Sequence, residues 1–284
     1  MHGVSLLGAL IAMGVQAPAA QPSFDLHVHL HRGEESLRAY EAQLRAGNLR
    51  VFGYGAMWFG GPNQALQGQP ASIRANNDAL IALARRNPAM MPVATVHPYD
   101  GDAALAELQR IARAGVRIVK IHPHTQRFDP TDPRVLALVR RAGELGLIML
   151  MDNASIMPGD SEKLFNLALA APRTRFIFAH LGGFNFRFWN ILRAARTAEG
   201  LFGDNIYFDI SAMVAMIADS PIEDEFVWTI RNVGADHVLL GSDYPQFSLA
   251  QNMEALDRLG LTDEEKAMIR ERNARTLFGL AGPS

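Results

Sequence analysis

Eight short apolar segments, separated by amphipathic stretches, run through the chain from residue 24 onward. Strands that alternate with helices predict βαβ units and a parallel sheet. Eight such units in about 260 residues match a (β/α)8 barrel, or TIM barrel, which typically needs about 250 residues. The sequence therefore predicts an α/β fold with a single TIM-barrel domain over residues 24–281, and a doubly wound sheet is the alternative. The predicted strands are Phe24–Leu30, Arg50–Met57, Met91–Val96, Val116–Ile121, Leu147–Met151, Arg175–Ala179, Asn205–Ile210 and His237–Leu240.

Capping signals mark the ends of several intervening helices. Asp132 followed by Pro133 is typical of a helix N-terminus, and Gly146 is typical of the end of that helix. Thr262 followed by Glu265 has the sequence of a capping box. These signals fall between predicted strands, as the alternating pattern requires.

Composition excludes several kinds of site and partner. The chain has no cysteine, which excludes disulfides, thiolate metal ligands and a catalytic cysteine. Lys and Arg number 27 against 29 Asp and Glu, for a net charge of −2. No basic surplus therefore favours binding to nucleic acid or to an anionic membrane. We expect a small-molecule substrate, and any metal must be held by His, Asp, Glu or backbone oxygen.

The first 20 residues have the layout of a targeting segment. Val4–Val15 is an apolar run within a stretch that lacks charged side chains, and Ala17-Pro18-Ala19 follows it as a small-x-small cleavage site. The run is too short to span a bilayer, which takes about 20 apolar residues. The pattern predicts a signal peptide over residues 1–20 and a periplasmic or secreted protein. A cytoplasmic protein with an uncleaved N-terminal segment is the alternative.

The first predicted strand carries two histidines near its end. Side chains alternate between the faces of a strand, so the pattern predicts that Asp25, His27 and His29 share one face. Leu26, Val28 and Leu30 would then take the helix-facing side. Two imidazoles at positions i and i+2 can point into one cavity and chelate a divalent ion.

Polar side chains also end or follow later strands. Catalytic residues in a TIM barrel come from the carboxyl ends of its strands, so these side chains predict a site at the barrel mouth. The alternative for a single histidine is a core residue with a local hydrogen bond. The side chains in question are His97, Lys120, His122, His124, Asp152, His180 and Asp243.

Five motifs occur in order along residues 24–280, namely Asp25–His29 (DLHVH), Val119–Pro123 (VKIHP), Phe178–Gly183 (FAHLGG), Leu239–Pro245 (LLGSDYP) and Asn273–Leu280 (NARTLFGL). In this order and spacing the chain resembles the amidohydrolase superfamily, in the branch of aminocarboxymuconate-semialdehyde decarboxylase and related metal-dependent hydrolases. The HxH pair alone is weak evidence, whereas the HxH, AHLGG and GSDYP set in order is specific.

The resemblance implies one divalent metal ion, usually zinc, held by His27, His29, a histidine at the end of the fifth strand and Asp243. This chain departs from that pattern, because Asp152 stands where the fifth-strand histidine is expected. A carboxylate also ligates zinc or manganese, so we expect Asp152 to be the fourth ligand, with a preference moved toward harder ions. The alternative is a lost ligand and a metal-free pocket.

The resemblance implies hydrolysis of an ester, lactone or amide bond. A metal lowers the pKa of its bound water, Asp243 would take the proton, and His180 or His122 would polarise the attacked carbonyl. A non-oxidative decarboxylase is an alternative, because decarboxylating relatives use much the same ligands. A metal-free lactonase and a non-catalytic binding barrel also stay open.

Three further side chains are candidates for substrate binding. Arg32 and Arg127 lie just after strand ends and could pair with a substrate carboxylate. Trp58 follows the second strand and could form an apolar wall. The alternative is that the arginines are solvated and that the tryptophan packs locally. Members of the family are often dimeric, which leaves a homodimer open.

Overall fold

A computed structural model describes residues 22–59 and 64–281. Its eight strands are parallel and lie in one sheet in the order of the sequence. The predicted signal peptide at residues 1–20 falls outside the described residues. The strands are β1 (Ser23–His29), β2 (Val51–Met57), β3 (Met90–Thr95), β4 (Ile118–Ile121), β5 (Ile148–Met151), β6 (Arg175–Phe178), β7 (Ile206–Asp209) and β8 (Val238–Leu239).

The first and last strands close the sheet into a barrel. The amide of Leu26 donates a hydrogen bond to the carbonyl of Leu240 at 3.1 Å, and the amide of His29 donates to that of Tyr244 at 2.8 Å. The amide of Tyr244 in turn donates to the carbonyl of His27 at 3.2 Å. Closure confirms the TIM barrel and excludes the doubly wound sheet. All eight predicted strands are present, with ends within two residues of the predicted ones.

Helices surround the sheet and connect its strands. The predicted cap of the helix at Pro133 is present, since Asp132 Oδ1 accepts a hydrogen bond from the amide of Arg134 at 2.8 Å. No described helix has the length and apolar character to cross a membrane. The helices are α1 (Glu34–Ala46), α2 (Pro70–Arg86), α3 (Asp102–Arg113), α4 (Pro123–Gln126), α5 (Pro133–Glu144), α6 (Asp160–Ala170), α7 (Ile191–Ala195), α8 (Met213–Ile217), α9 (Glu223–Val233), α10 (Leu249–Arg258), α11 (Asp263–Ala267) and α12 (Asn273–Phe278).

The barrel interior below the mouth is filled by apolar side chains from several strands. Side chains of β4 alternate, so Ile118 lies on the same face as Lys120, and Val119 lies on the other. The interior cluster that contains Ile118 also includes Leu26, Ile148, Leu150, Ile177 and Leu239. The polar site therefore lies above a layer of buried apolar side chains.

A bulge in β1 changes the predicted alternation of that strand. Asp25 pairs with Tyr54 and Val28 pairs with Ala56, so three steps along β1 match two along β2. The bulge places both Leu26 and His27 on the inner side. The prediction that Asp25 shares a face with the histidines was therefore wrong, and so was the helix-facing position predicted for Leu26.

Asp25 instead joins β1 to its neighbours outside the cavity. Its carboxylate accepts hydrogen bonds from the Tyr40 hydroxyl at 2.9 Å and the Ser242 amide at 2.7 Å. Complete burial raises the pKa of Asp25 to about 6, although these hydrogen bonds act in the opposite direction. The side chain therefore acts as a structural link between β1, α1 and the loop after β8.

Candidate active site

A cavity of about 580 Å³ opens at the carboxyl ends of the strands. This is where active sites lie in TIM-barrel enzymes. All of the predicted catalytic residues and metal ligands line it. Its polar side chains include His27, His29, Lys120, His122, Asp152, His180 and Asp243.

His27, His29 and Asp243 bring three potential metal-ligating atoms together. The Nε2 atoms of His27 and His29 lie 3.6 and 3.2 Å from Asp243 Oδ1. All three atoms lie within 4.8 Å of one another, which a single divalent ion could span. Burial alone would raise the pKa of Asp243, but its contacts with His29 and His27 outweigh burial and lower that pKa well below its usual range. Asp243 is therefore ionised at neutral pH.

The far nitrogen of each histidine is held by an acceptor. His27 Nδ1 donates to Asp209 Oδ2 at 3.0 Å, and His29 Nδ1 donates to the carbonyl of Phe59 at 2.7 Å. Both partners accept hydrogen bonds only, which places the proton on Nδ1 and leaves the lone pair of each Nε2 toward the cavity. Metal-binding histidines are typically oriented in this way, so the donor set fits a divalent ion.

Asp209 is a site residue that sequence reasoning missed. It ends β7, is fully buried, and also accepts hydrogen bonds from the amides of His180 and Ser211 at 3.3 and 3.0 Å. With His27 and His180 it forms a second group of closely spaced potential ligands. Its position at a strand end, like that of Asp152, was the available signal.

Asp152 lies between two histidines. Its Oδ2 is 3.4 Å from His122 Nε2 and 3.4 Å from His180 Nε2. Among the described residues, neither group of closely spaced ligand atoms includes it. Burial alone would raise the pKa of Asp152, but the contacts with His180 and His122 lower that pKa well below its usual range. The structure thus gives Asp152 a set of partners that the sequence did not predict.

His180 and His122 differ in their electrostatic state. Burial opposes protonation of His180, but its contact with Asp152 prevails and raises its pKa to about 9. Its Nδ1 also donates to the carbonyl of Ser211 at 3.1 Å. Burial lowers the pKa of His122 to about 4, and its Nδ1 has no hydrogen-bond partner among the described residues. One imidazole is therefore charged at neutral pH, whereas the other is neutral.

Backbone strain occurs at the same place. His180 and Asp243 both have a φ of 62°, a left-handed conformation that non-glycine residues adopt rarely. Such conformations are concentrated at functional sites, where the surrounding structure enforces them. A side chain on Gly183 would put its Cβ 2.1 Å from the carbonyl oxygen of Ala154, so this turn needs a glycine.

The three predicted substrate-binding residues do not line this cavity. Arg32 is exposed and pairs with Glu35 at 3.1 Å, and Arg127 is exposed at the end of α4. Trp58 lines a neighbouring cavity of about 570 Å³ together with Arg32. The loops after β1, β2 and β4 direct these side chains outward. Closeness to a strand end in the sequence does not show which way a loop side chain points.

Comparison with known proteins places this geometry in a family. The family model described as amidohydrolase matches residues 24–280. No curated protein matches the chain. The chain is similar in fold to 5-carboxyvanillate decarboxylase from Sphingomonas paucimobilis, with 16% identity, a TM-score of 0.71, and coverage of 93% of this chain and 100% of that one.

Two further solved structures are similar in fold. Dihydroxybenzoic acid decarboxylase from Polaromonas, with bound manganese, is 14% identical with a TM-score of 0.64, covering 93% of this chain and 98% of that one. A protein from Pseudomonas putida assigned as a 2-pyrone-4,6-dicarboxylic acid hydrolase is 19% identical with a TM-score of 0.62, covering 93% and 99% respectively. With its closed barrel, its convergent His and Asp side chains and the match over residues 24–280, the chain belongs to the amidohydrolase superfamily.

Proposed function

We propose that the protein is a metal-dependent hydrolase that cleaves an ester, lactone or amide bond in a small substrate. The observation that carries this proposal is the convergence of His27 Nε2, His29 Nε2 and Asp243 Oδ1 within 4.8 Å. The hydrogen bonds at both Nδ1 atoms support it, because they turn the free lone pairs toward the cavity. His27, His29 and Asp243 would hold the ion, and Asp152 is retained as the predicted fourth ligand.

The superfamily is metal-dependent, and zinc or manganese suits a donor set of imidazole and carboxylate. Such an ion lowers the pKa of a bound water toward neutrality and polarises a carbonyl. The neighbour from Polaromonas binds manganese, which supports manganese beside zinc as a candidate for this chain.

The protein side chains that line the cavity supply both a base and an acid. Asp243 is ionised, so its carboxylate can accept the proton released by the attacking water. His180 is protonated, so it can donate a hydrogen bond to the attacked carbonyl or a proton to the leaving group. His122 is neutral and borders the same cavity. A pair of groups whose pKa values are displaced in opposite directions is typical of acid–base catalysis.

Decarboxylation is the second candidate, since two of the similar folds belong to decarboxylases. A panel of aryl esters, lactones and carboxylated phenols separates the two reactions. We expect acid release from an ester or lactone, its loss after chelation, and its recovery with zinc or manganese. Release of carbon dioxide without ester or lactone cleavage would favour the decarboxylase. Hydrolysis that survives complete chelation would favour the metal-free lactonase, and binding without turnover would favour the non-catalytic barrel.

Export to the periplasm or medium is a separate proposal, supported by the apolar run Val4–Val15 and the small residues that follow. N-terminal sequencing of protein from its natural host tests it. The mature chain should begin near Ala20 or Gln21, and an intact Met1 would contradict export.

A further inference from the structure

The outer part of the cavity is lined by exposed apolar side chains. Ile156, Phe184 and Met216 lie on the loops or short helix after β5, β6 and β7, and their exposed fractions are 73%, 61% and 42%. We call these three residues the apolar rim. They are three of the eight large hydrophobic side chains that are exposed among the described residues. Because the rim is continuous with the cavity, it would contact the part of a ligand that extends from the site toward solvent.

The inner part of the cavity contains a single lysine or arginine among the described residues, Lys120. The remaining stretches, residues 1–21, 60–63 and 282–284, contain neither lysine nor arginine. No lysine or arginine therefore lines the cavity beside the rim, and the protonated His180 is buried at the inner end of the cavity. A second carboxylate of a substrate that lay against the rim would lose part of its hydration without gaining a cationic partner.

Lys120 has few partners for a buried ammonium group. It is 1% exposed, and its Nζ lies 3.4 Å from His27 Nε2. Within the described part of the chain, no carboxylate lies within 4.0 Å of that Nζ. The ammonium carries three protons, and His27 Nε2 has one lone pair, which a bound metal would take. An oxygen of the substrate is then the acceptor that Lys120 lacks.

We propose that the site selects a substrate with one anionic or strongly electron-rich oxygen group, bound at Lys120, and an uncharged apolar body that lies against the apolar rim. This inference rests on the proposed function in taking this cavity as the substrate site and in placing a metal ion at His27, but not in the reaction catalysed. Monocarboxylates with an alkyl-substituted aromatic ring have this chemistry. Aromatic dicarboxylates do not, since their second carboxylate would lie at the rim.

Binding of three inert probes to zinc-saturated protein, measured by isothermal titration calorimetry, tests the inference. The probes are benzoate, 4-butylbenzoate and terephthalate. Each methylene buried against the rim should strengthen binding about fourfold, so we expect 4-butylbenzoate to bind at least about tenfold tighter than benzoate. Terephthalate should bind no tighter than benzoate. Equal affinity for benzoate and 4-butylbenzoate, or tightest binding of terephthalate, would overturn the inference.

Variants assign the effect to the rim. The double variant Phe184→Ala, Met216→Ala should reduce the advantage of 4-butylbenzoate below about threefold and leave benzoate binding unchanged. The matched control is Trp228→Ala, because Trp228 on α9 is 53% exposed and does not line the cavity. The control should keep the full advantage. If the double variant keeps the advantage but changes the oligomeric state, the rim is an interface between copies and the inference fails.

A second variant tests Lys120. Lys120→Met should weaken all three carboxylate probes by about tenfold or more. Neutral 4-butylbenzamide, whose carbonyl oxygen is a weaker acceptor than a carboxylate, should lose no more than about threefold and so reports a folded cavity. Equal losses for the benzamide and the carboxylates would show that Lys120 is structural. None of these measurements requires turnover. Correct probe selectivity without hydrolysis would contradict only the proposed function, and hydrolysis without the selectivity would contradict only this inference.

Discussion

The Nδ1 atom of His27 lies 3.0 Å from Oδ2 of Asp209, and both side chains are buried. This pair joins β1 to β7 across the inside of the barrel. Because the carboxylate only accepts hydrogen bonds, it fixes the proton on Nδ1 and aims Nε2 at Asp243 and His29. Asp209, which the sequence analysis did not identify as a site residue, thus orients His27, which it did identify.

Replacement of Asp209 should weaken metal binding without removing a ligand. In Asp209→Asn the amide group can donate to His27 Nδ1 as well as accept from it, so the tautomer is no longer fixed. Loss of such an orienting partner typically costs 10- to 100-fold in metal affinity. Competition with a chromophoric chelator measures the zinc affinity. Asp236→Asn, an exposed side chain near the other end of the barrel, is the control, and equal affinities of the two variants would refute the orienting role.

Asp243→Asn should separate metal binding from proton transfer. The amide oxygen can still approach a metal, but it cannot accept a proton at neutral pH. Since general acid–base catalysis contributes about 10²- to 10⁴-fold, turnover should fall by about that factor while the circular dichroism spectrum and some bound metal remain. The assigned role is wrong if turnover on a confirmed substrate stays near the wild-type value.

Asp152 is tested by a pair of substitutions. If Asp152 is the fourth ligand, Asp152→Ala should lower metal occupancy and Asp152→His should restore it. Elemental analysis of purified protein measures the occupancy. Its contacts at 3.4 Å with His122 and His180 offer a different role. Unchanged occupancy in Asp152→Ala, together with reduced turnover, would show that the carboxylate acts through the two histidines and is not a ligand.

The bulge in β1 should make Gly55 intolerant of a side chain. A Cβ on Gly55 would lie 2.5 Å from the carbonyl oxygen of Leu26, a backbone atom that cannot turn away. We expect Gly55→Ala to destabilise the fold by about 1–3 kcal/mol, the usual cost of overpacking, in urea unfolding monitored by circular dichroism. Gly260→Ala is the control, since a Cβ there meets nothing within 4 Å. Similar midpoints for the two variants would contradict the steric role of Gly55.

The capping box of α11 predicts a pH-dependent contribution to stability. Glu265 accepts two hydrogen bonds from Arg231, at 2.8 and 3.0 Å, and one from the amide of Thr262 at 2.7 Å. The hydrogen bonds with Arg231, opposed by partial burial, lower the pKa of Glu265 from 4.5 to about 2.

Because the folded-state pKa of Glu265 is depressed, its stabilisation is fully present above pH 4.5 and is lost as the pH falls toward 2. Glu265→Gln should therefore lower the melting temperature at pH 7, and the difference from wild type should shrink between pH 4.5 and 2. A difference that is independent of pH over this range would show that the charge of Glu265 does not contribute.

The sequence alone determined the architecture of the barrel. Its eight apolar segments alternate with helical stretches, and these patterns depend only on residues that are close in sequence. The strands therefore formed within two residues of the predicted ends. The same patterns put polar side chains at the carboxyl ends, where a parallel barrel collects them. For this reason His27, His29, Asp152, His180 and Asp243 could be identified as cavity residues before their distances were known.

Only the tertiary structure decided how these side chains meet. In a regular strand Leu26 and His27 would point to opposite faces, but the bulge opposite Gly55 puts both on the inner side of the barrel. Asp209 contacts His27, and Asp152 contacts His122 and His180, because the fold brings distant strands together. Arg32 does not line the cavity, because the loop after β1 directs its side chain outward. Hydrogen bonds and burial depend on atoms that are far apart in sequence, so their partners are fixed only when the barrel closes.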